Sequence, residues 1–502
     1  MPFSEDYFRL FENVPAFHDR VTQKYLLASS GAQISERLMR CIWYDRLYDR
    51  QRLITKDGRN IVVHSPGTWN LESGPDFVRA DLSIGTTRLK GDVELHLEAA
   101  GWRLHKHSLD KRYDNVILHV ILKPGARQET PVTSHGVEIP EAGLWGCLTD
   151  NLKVLSCALR PEEYPYNSLR NFGRCHGLLE QTPLDSALRL LYIAGDARII
   201  AKQRRFSYEA EKQNLDQVAY AALLEGMGYK SYRKQFSQLA QRLPYEQLQE
   251  SVAASGACGA SEQALLTQAL LMGTAGMLGD SPGAGSSEAR EYSGRLRELW
   301  GSSGLRNMER SDIAWKGSAV RPANLPQRRI AGVSHVLART YGEGVFKWIL
   351  ACMSENDARK ARLNCIESMS RAEDSFWSYH YSVRGEKLRE PVGLLGADRA
   401  LTILVNSFVP LALLNARNEG QPGKEDLLHN LYCSLPSPQP NAVTRLMEYR
   451  MFGDSSKLRK TRSARIQQGL MQVFADWCSE DPACENCGVF ACLQSGRIGE
   501  RQ

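Results

Sequence analysis

GDVELHL, at Gly91–Leu97, determines how the N-terminal third of the chain folds. Successive side chains of a β-strand point to opposite faces, so Asp92, Glu94 and His96 share one face while three apolar side chains share the other. A strand with one apolar face packs that face against a core. We therefore predict a β-strand here, with two acids and an imidazole on its second face.

The segments around this strand indicate a small α/β domain over residues 33–144. Helix-like apolar spacing precedes the strand, and three further apolar runs bounded by Gly, Pro or Asn have β-strand composition. The helix is predicted within Gln33–Asp49, and the other strands at residues 59–64 (RNIVVH), 77–84 (FVRADLSI) and 115–122 (NVILHVIL). A polar segment at 101–113 is predicted to be helical, so the element order is helix, three strands, helix, strand.

The whole chain is predicted to be an α+β protein of several domains, because its 502 residues exceed one ordinary domain. Residues 145–440 have the apolar spacing of amphipathic helices and are predicted to form an all-α region. Residues 441–502 combine a basic helix with a cysteine-rich loop, and residues 1–32 form an N-terminal extension.

Composition and charge are those of a soluble globular protein. The chain is 42% hydrophobic and 24% charged, and its mean hydropathy is −0.38, which excludes disordered, collagen-like and coiled-coil proteins. The most apolar stretch, Ala264–Leu278, is too short and too polar to cross a membrane, and the N-terminus has acids where a signal peptide has bases. We therefore expect a cytoplasmic protein without a membrane partner. A net charge of +6 permits a polyanionic partner, and neither GxxxxGK[ST] nor a strand-linked GxGxxG indicates a nucleotide cofactor.

Asp76 opens the strand before GDVELHL, where it can come alongside the acids of that strand. Neighbouring carboxylates repel one another unless a cation or a proton neutralises them. Three of them together form an oxygen-rich site that suits Mg²⁺ or Mn²⁺. The alternative is that these acids form the solvated face of a half-covered sheet, and the alternating pattern alone does not choose between the two.

The element order, with PD at residues 75–76 and ELH at residues 94–96, resembles the core of the PD-(D/E)xK nuclease superfamily. His96 stands where that family usually has lysine. The resemblance implies metal-assisted hydrolysis of phosphodiesters, in which Asp76 and Glu94 hold an ion that polarises the phosphate and lowers the pKa of the attacking water. His96, Asp92 and Glu36 complete the candidate catalytic set, and His96 is also a candidate metal ligand.

A basic edge follows the acidic strand, in WRLHKHSLDKRYDN, and a second basic stretch lies near the C-terminus. In a nuclease such groups hold backbone phosphates, and the alternative for each is an ordinary surface or core role. We therefore expect DNA or RNA as a partner. The candidate nucleic-acid-binding residues are His105, Lys106, His107, Lys111 and Arg112 in the first stretch, and Lys457, Arg459, Lys460, Arg462 and Arg465 in the second.

Longer motifs resemble the bacterial domain-of-unknown-function family 2851. They are WNLESGPDF at 69–77, GDVELHL, GWRLHKHSLDKRYDNVILHVIL at 101–122, GYKSYRKQFSQLAQRLP at 228–244 and RPANLPQRRIAG at 321–332. The resemblance extends from about residue 33 to the C-terminus. It implies relatives but no reaction, so the nuclease hypothesis depends on the residues themselves.

Four of the twelve cysteines lie within fifteen residues, at Cys478, Cys484, Cys487 and Cys492. In a reducing compartment such a cluster indicates a metal rather than disulfides. The spacing C-x5-C-x2-C-x4-C has only one of the C-x2-C pairs common in zinc sites. It resembles the iron–sulfur loop of endonuclease-three-type DNA glycosylases, which implies a structural [4Fe–4S] cluster, with zinc as the alternative. Cys175 is too isolated in the sequence to be predicted as a ligand.

These patterns together predict a metal-dependent nuclease that acts on DNA in repair or defence. Two alternatives remain at this point. One is a non-catalytic nucleic-acid-binding protein with a degenerate nuclease fold, since His96 replaces the expected lysine. The other is a metal-dependent hydrolase of a small phosphorylated substrate.

Overall fold

The computed structural model divides the chain into two compact units. One unit comprises Ser4–Arg198, Pro440–Arg462 and Ile466–Gln502, and the other comprises Met1–Phe3, Ile199–Gln439 and Ser463–Arg465. The structure describes residues 3, 5–12, 34–71, 74–123, 130–159, 161, 164–165, 172–228, 232–279, 286–305, 313–315, 321–371, 373–453, 458, 461–479, 484 and 487–497. These units differ from the predicted domains, because the cysteine-rich C-terminal segment belongs to the same unit as the N-terminal strands.

The α+β class is confirmed by a six-stranded mixed sheet in the described part of the first unit. Its strands are β1 (Ile61–Ser65), β2 (Thr68–Trp69), β3 (Phe77–Ile84), β4 (Thr87–Glu98), β5 (Val116–Lys123) and β6 (Glu141–Gly143). The order is β1-β3-β4-β5-β6, and β2 pairs with β3. The β3–β4 pair is antiparallel, whereas β4 pairs with β5 and β5 with β6 in parallel.

Strand β4 contains the GDVELHL segment, of which Gly91–His96 is buried on both faces. Val93 and Leu95 are fully buried in the apolar core of this unit, as their alternation predicts. Gly91 allows the close approach of β5, because a Cβ at this position would lie 2.6 Å from the Asn115 carbonyl oxygen. A bulge interrupts the β3–β4 register between Phe77 and Ala80.

The helix predicted before the sheet is Glu36–Tyr44, and Ser35 caps it by accepting a hydrogen bond from the Leu38 N–H at 3.2 Å. The predicted helix at 101–113 is wrong in form. It consists of a short helix, Gly101–Leu104, followed by two 3₁₀ turns, His107–Leu109 and Lys111–Tyr113. Lys106 breaks the helix because its φ of 59° is left-handed.

The N-terminal residues contribute a helix to the core of this unit. Tyr7 and Phe11 are fully buried, and the Tyr7 hydroxyl donates to Asp476 Oδ2 at 3.0 Å. This N-terminal helix is Asp6–Phe11. Further helices with residues in this unit are Leu152–Ala158, His176–Gln181, Leu184–Ala210, Ala442–Phe452, Ala464–Val473 and Gly488–Gln494, and a π-helical turn spans Phe474–Cys478. The predicted extension at 1–32 therefore contains a buried element.

The second unit is helical in its described residues, as predicted for the middle of the chain. Its helices are Leu215–Met227, Arg233–Arg242, Tyr245–Ala254, Ala260–Thr274, Ser287–Ser302, Pro326–Leu337, Val345–Cys352, Ala358–Ser370, Ala397–Asn418 and Pro422–Ser434. Ala397–Asn418 has a π-helical turn at Leu404–Phe408, just before Pro410, whose ring cannot continue regular helical hydrogen bonding. This helix is long and apolar enough to cross a membrane, but 72% of its most apolar window is buried inside the protein.

Candidate metal centre

Asp76 and Glu94, the two predicted metal ligands, are buried together and tied to each other's strands. The Asp76 N–H donates to Glu94 Oε2 at 2.9 Å, and the Leu95 N–H donates to Asp76 Oδ2 at 3.1 Å. Only 3% of Asp76 and 4% of Glu94 is exposed. The alternative of a solvated acidic face is therefore wrong for these two residues.

Arg40, on the helix Glu36–Tyr44, holds the other oxygen of Asp76. Its Nε lies 2.7 Å from Asp76 Oδ1. Burial raises the pKa of Asp76 well above its usual range, the Arg40 charge opposes this, and the charges of Glu94 and Glu36 raise the pKa further. Both Asp76 oxygens thus have protein partners, and the predicted candidate Glu36 is close enough to act on them electrostatically.

Asp92, a further predicted catalytic acid, supports the β3 bulge. Its Oδ1 accepts a hydrogen bond from the Arg79 N–H at 3.0 Å. Arg79 has a left-handed φ of 59°, which a non-glycine residue rarely adopts without such support. The described contact of Asp92 is therefore with the backbone of the sheet rather than with Glu94.

His96 belongs to a buried chain of hydrogen-bonded rings. His96 Nδ1 lies 2.9 Å from His119 Nε2, and His119 Nδ1 lies 3.0 Å from Glu141 Oε2. In the tautomer that gives every ring nitrogen of this chain a partner, His119 donates through Nδ1 to Glu141 and accepts at Nε2. His96 must then donate through Nδ1, which leaves the lone pair of His96 Nε2 directed away from this chain.

Three further atoms that can ligate a metal lie near the lone pair of His96 Nε2. His105 Nδ1 lies 3.0 Å and Glu94 Oε1 lies 3.6 Å from His96 Nε2, and His107 Nε2 lies 3.3 Å from Glu94 Oε1. The ligand atoms of the three histidines lie within 4.8 Å of one another. We call Glu94, His96, His105 and His107 the His/Glu cluster.

The spacing of the His/Glu cluster fits a small cation. Metal–nitrogen bonds of 2.0–2.1 Å in a tetrahedron place neighbouring ligands about 3.3 Å apart. The separations of 3.0 Å for His96–His105, 3.3 Å for His107–Glu94 and 3.6 Å for His96–Glu94 are near that value, and the remaining histidine pairs lie within 4.8 Å. His107 Nε2 is buried and makes no hydrogen bond of acceptable geometry, although Glu94 lies beside it. An unsatisfied buried nitrogen next to a carboxylate is the arrangement that a cation would satisfy.

The buried imidazoles are in the neutral form that binds metal. Burial lowers the pKa of His107 to about 4, and burial with the neighbouring histidine and Arg40 charges lowers the pKa of His96 much further. His96 therefore does not carry the positive charge that lysine would carry at this position. A neutral imidazole with its lone pair directed at the cluster is instead a metal ligand.

Aromatic packing and one glycine fix the rings of the His/Glu cluster. The His107 ring stacks on Tyr113 with centroids 3.8 Å apart, and Trp102 contacts His107 edge-on at 5.2 Å. A Cβ on Gly101 would lie 2.5 Å from the His96 ring. Only glycine at position 101 leaves room for His96 where it lies.

Most residues of the predicted basic edge are exposed. His105, Lys106, Lys111 and Arg112 are exposed, whereas His107 is buried as described. The Arg112 guanidinium pairs with Asp110, with Nη2–Oδ2 at 2.6 Å. His105 is thus the member of the His/Glu cluster that reaches the surface.

The second basic stretch is only partly described. Lys457, Arg459 and Lys460 lie outside the described residues. Arg462 is exposed and pairs with Glu448 at 2.9 Å, and Arg465 Nη1 lies 3.5 Å from Cys433 Sγ. Arg462 and Arg465 belong to different compact units.

The four clustered cysteines are all described, and three of them belong together electrostatically. Burial raises the pKa of Cys478 well above its usual range, and the charges of Cys487 and Cys484 raise it further. Cys492 is fully buried elsewhere, with its Sγ 3.8 Å from the Leu10 carbonyl oxygen. The predicted cluster thus contains Cys478, on which the charges of Cys484 and Cys487 act, and Cys492, whose described contact is with Leu10.

Sequence reasoning missed Arg40 and Glu141 and treated His119 as an ordinary sheet histidine. The signal for His119 was its polar ring within the apolar run NVILHVIL, which requires a buried hydrogen-bond partner. Arg40 lies four residues after Glu36 on the same helix, which was weak evidence that it faces the acids.

A family model described as "Protein of unknown function (DUF2851)" matches residues 36–441 of the chain. No curated protein matches the chain, and no solved structure does. The resemblance to that family is therefore confirmed over most of the chain, and the site must be interpreted from its own geometry.

Proposed function

The chain belongs to the family described as protein of unknown function (DUF2851), and we propose from its His/Glu cluster that it is a metal-dependent nuclease acting on DNA. The observation that carries this proposal is the convergence of Glu94, His96, His105 and His107 beside the buried Asp76. The donor set of three imidazoles and one carboxylate suits a first-row transition ion better than Mg²⁺. We therefore name Mn²⁺ or Zn²⁺ as the ion.

Residues of the His/Glu cluster and their partners would have different roles in binding the ion. Glu94, His96 and His107 are buried and would fix the ion, which when bound would polarise a phosphate oxygen and lower the pKa of water. His119 and Glu141 orient His96 from behind, as outer partners of ligating histidines commonly do. His105 is exposed, so it is the ligand of the His/Glu cluster at which solvent or substrate can reach the ion.

Surface charge supports a nucleic-acid substrate. Lys106 and Lys111 are exposed on the two turns that carry or follow His105 and His107. Cations at this edge can hold the phosphates on either side of a scissile bond. Because such contacts release counterions, DNA affinity is expected to fall steeply with salt.

The test is cleavage of single-stranded and duplex DNA by the purified full chain with Mn²⁺, Zn²⁺ or Mg²⁺. Glu94→Gln keeps an acceptor for the Asp76 N–H but removes the charge that would hold the ion, so cleavage should be lost. Glu98→Gln is the matched control, because Glu98 is exposed at the end of the same strand. Cleavage by Glu94→Gln at the wild-type rate, or no cleavage with any of the three ions, would contradict the proposal.

The Arg40–Asp76 ion pair favours a second candidate, a nucleic-acid-binding protein without turnover. Arg40 places a permanent positive charge 2.7 Å from a carboxylate that the nuclease resemblance assigns to a metal. Under this candidate, salt-sensitive DNA binding persists in both Glu94→Gln and Asp76→Asn, and wild-type protein leaves the DNA intact.

A further inference from the structure

The segment around Cys175, which is not part of the C-terminal cysteine motif, lies against helices that adjoin the C-terminal cysteines. Residues 173–176 lie against the helix Ala442–Phe452, where the Gly173 N–H donates to the Arg450 carbonyl at 2.9 Å. His176 Nδ1 lies 3.2 Å from the Met451 carbonyl oxygen. These contacts fix the position of Cys175, which lies between Gly173 and His176.

The same segment also contacts the helix that follows Cys487. The Arg174 guanidinium lies 4.6 Å from the centroid of the Phe490 ring, and His176–Gln181 packs against Gly488–Gln494. Cys175 immediately precedes the first of these helices and Cys487 immediately precedes the second. Both thiols therefore lie at the starts of two helices that are in contact.

Arg450 connects Cys175 with Cys484. The Arg450 side chain is almost fully buried, and its Nη2 lies 3.6 Å from Cys484 Sγ. A Cβ on Gly173 would lie 3.2 Å from Cys175 Sγ and 3.4 Å from the Arg450 carbonyl oxygen, so this sulfur lies beside the Arg450 backbone. A buried guanidinium is always charged, and it would offset the negative charge of a thiolate-bound metal.

The electrostatics agree with this geometry. Burial, together with the charges of Cys487 and Cys484, raises the pKa of Cys175 to about 12, and the Arg450 charge opposes this rise. Cys175 likewise acts on Cys478. The charges of Cys484 and Cys487 thus act on both Cys175 and Cys478, and a cation would reverse the repulsion between these thiolates.

Cys492 lies outside this group. It lies within the helix Gly488–Gln494, five positions after Cys487, so helical periodicity directs its side chain to another face. Its sulfur contacts the Leu10 carbonyl at 3.8 Å, and the charge that acts on it is that of Arg497.

We propose that Cys175, Cys478, Cys484 and Cys487 together hold a metal centre through four thiolates, with Cys175 in the place that the sequence motif assigns to Cys492. Binding would release the thiol protons to the buffer, as metal binding to cysteines does. The chemistry is that of a thiophilic centre. Among the described residues no three of these sulfurs lie within 4.8 Å of one another, which suits the wider spacing of an iron–sulfur cluster better than one tetrahedral zinc ion, and the experiment below distinguishes the two. The centre would join residues about three hundred positions apart in one unit.

The experiment compares full-length wild type, Cys175→Ser and Cys492→Ser, each purified without oxygen and reconstituted with iron and sulfide or with zinc. Metal and sulfide per chain are measured, together with thiolate-to-metal charge-transfer absorption, which the His/Glu cluster cannot produce. Visible iron–sulfur absorption identifies the cluster, and bound zinc without it identifies the single ion. Cys175→Ser should lose the charge-transfer absorption at least tenfold, and Cys492→Ser should keep it.

Two outcomes would overturn the assignment: loss of the absorption in Cys492→Ser with retention in Cys175→Ser, or a wild type that binds neither metal form. If Cys175→Ser does not fold, alkylation of the wild type with mass-spectrometric readout replaces it. Chelation of the metal should then increase labelling of Cys175 at least severalfold. Labelling of Cys175 that does not depend on the metal would equally overturn the proposal.

Discussion

Gly101→Ala is expected to disable the His/Glu cluster without removing any of its donor atoms. A Cβ at position 101 would lie 2.5 Å from Cγ and Cδ2 of His96, whereas ordinary contacts begin at 3.4 Å. The His96 ring must therefore move by about 1 Å. Its hydrogen bonds of 2.9 Å to His119 and 3.0 Å to His105 do not survive such a shift, because N···N distances beyond about 3.5 Å are not hydrogen bonds.

The assay for Gly101→Ala is Mn²⁺ affinity, followed by the electron paramagnetic resonance signal of the free ion. Mn²⁺ avoids thiolates, so the cysteines do not contribute. We expect affinity to fall about 10- to 100-fold, as for loss of an orienting partner, and the free energy of unfolding to fall by about 1–3 kcal/mol. Gly294→Ala is the control, because nothing lies within 4 Å of a Cβ there. Unchanged Mn²⁺ affinity in Gly101→Ala would refute the position of His96 on which the cluster depends.

Three further predictions concern the partners of the cluster. Arg40→Met leaves the Asp76 carboxylate buried without its cation, so the free energy of unfolding measured by urea titration should fall by about 3–5 kcal/mol. Adding Asp76→Asn should restore most of this loss. An unchanged free energy of unfolding in Arg40→Met would contradict the ion pair. In metal-free protein the pKa of His107 is about 4 in the folded chain against an ordinary 6.5, so the unfolded chain binds the proton first and the free energy of unfolding should fall as the pH drops from 6.5 towards 4. His107→Gln should flatten this part of the plot of unfolding free energy against pH. An unchanged slope in the variant would argue against the lowered pKa. Glu141→Gln should weaken Mn²⁺ binding about 10- to 100-fold, because Glu141 orients His96 through His119. Glu138→Gln, at an exposed position, is the control and should leave the affinity unchanged. Equal Mn²⁺ affinities in the two variants would exclude the orienting role of Glu141.

Local pattern was sufficient to predict the elements that carry the site. The alternation in GDVELHL specified a strand with Val93 and Leu95 in the core, and the structure has both fully buried. It also placed Glu94 and His96 on one face, where their side chains lie 3.6 Å apart. Alternation is a property of a single strand, so it needs no knowledge of the neighbours.

Local pattern failed where backbone conformation depended on a turn. The polar segment at 101–113 has no strong breaker residue, so it was predicted to be one helix. Lys106 adopts a left-handed conformation there, and Asp110 accepts a hydrogen bond from the Arg112 N–H that starts a new turn. These turns place His105 and His107 around His96, so the error concerned the geometry of the site itself.

The sequence by itself determined the α+β class, the family and the acidic strand, because each depends on periodicity or on motifs with short spacing along the chain. Only the tertiary structure decided which groups face one another. It paired Arg40 with Asp76, joined His96 through His119 to Glu141, and placed the segment around Cys175 against the helix Ala442–Phe452. The physical reason is that contacts between distant segments are selected by the burial of whole faces of helices and strands, and a single residue's position in the chain carries no record of its partner.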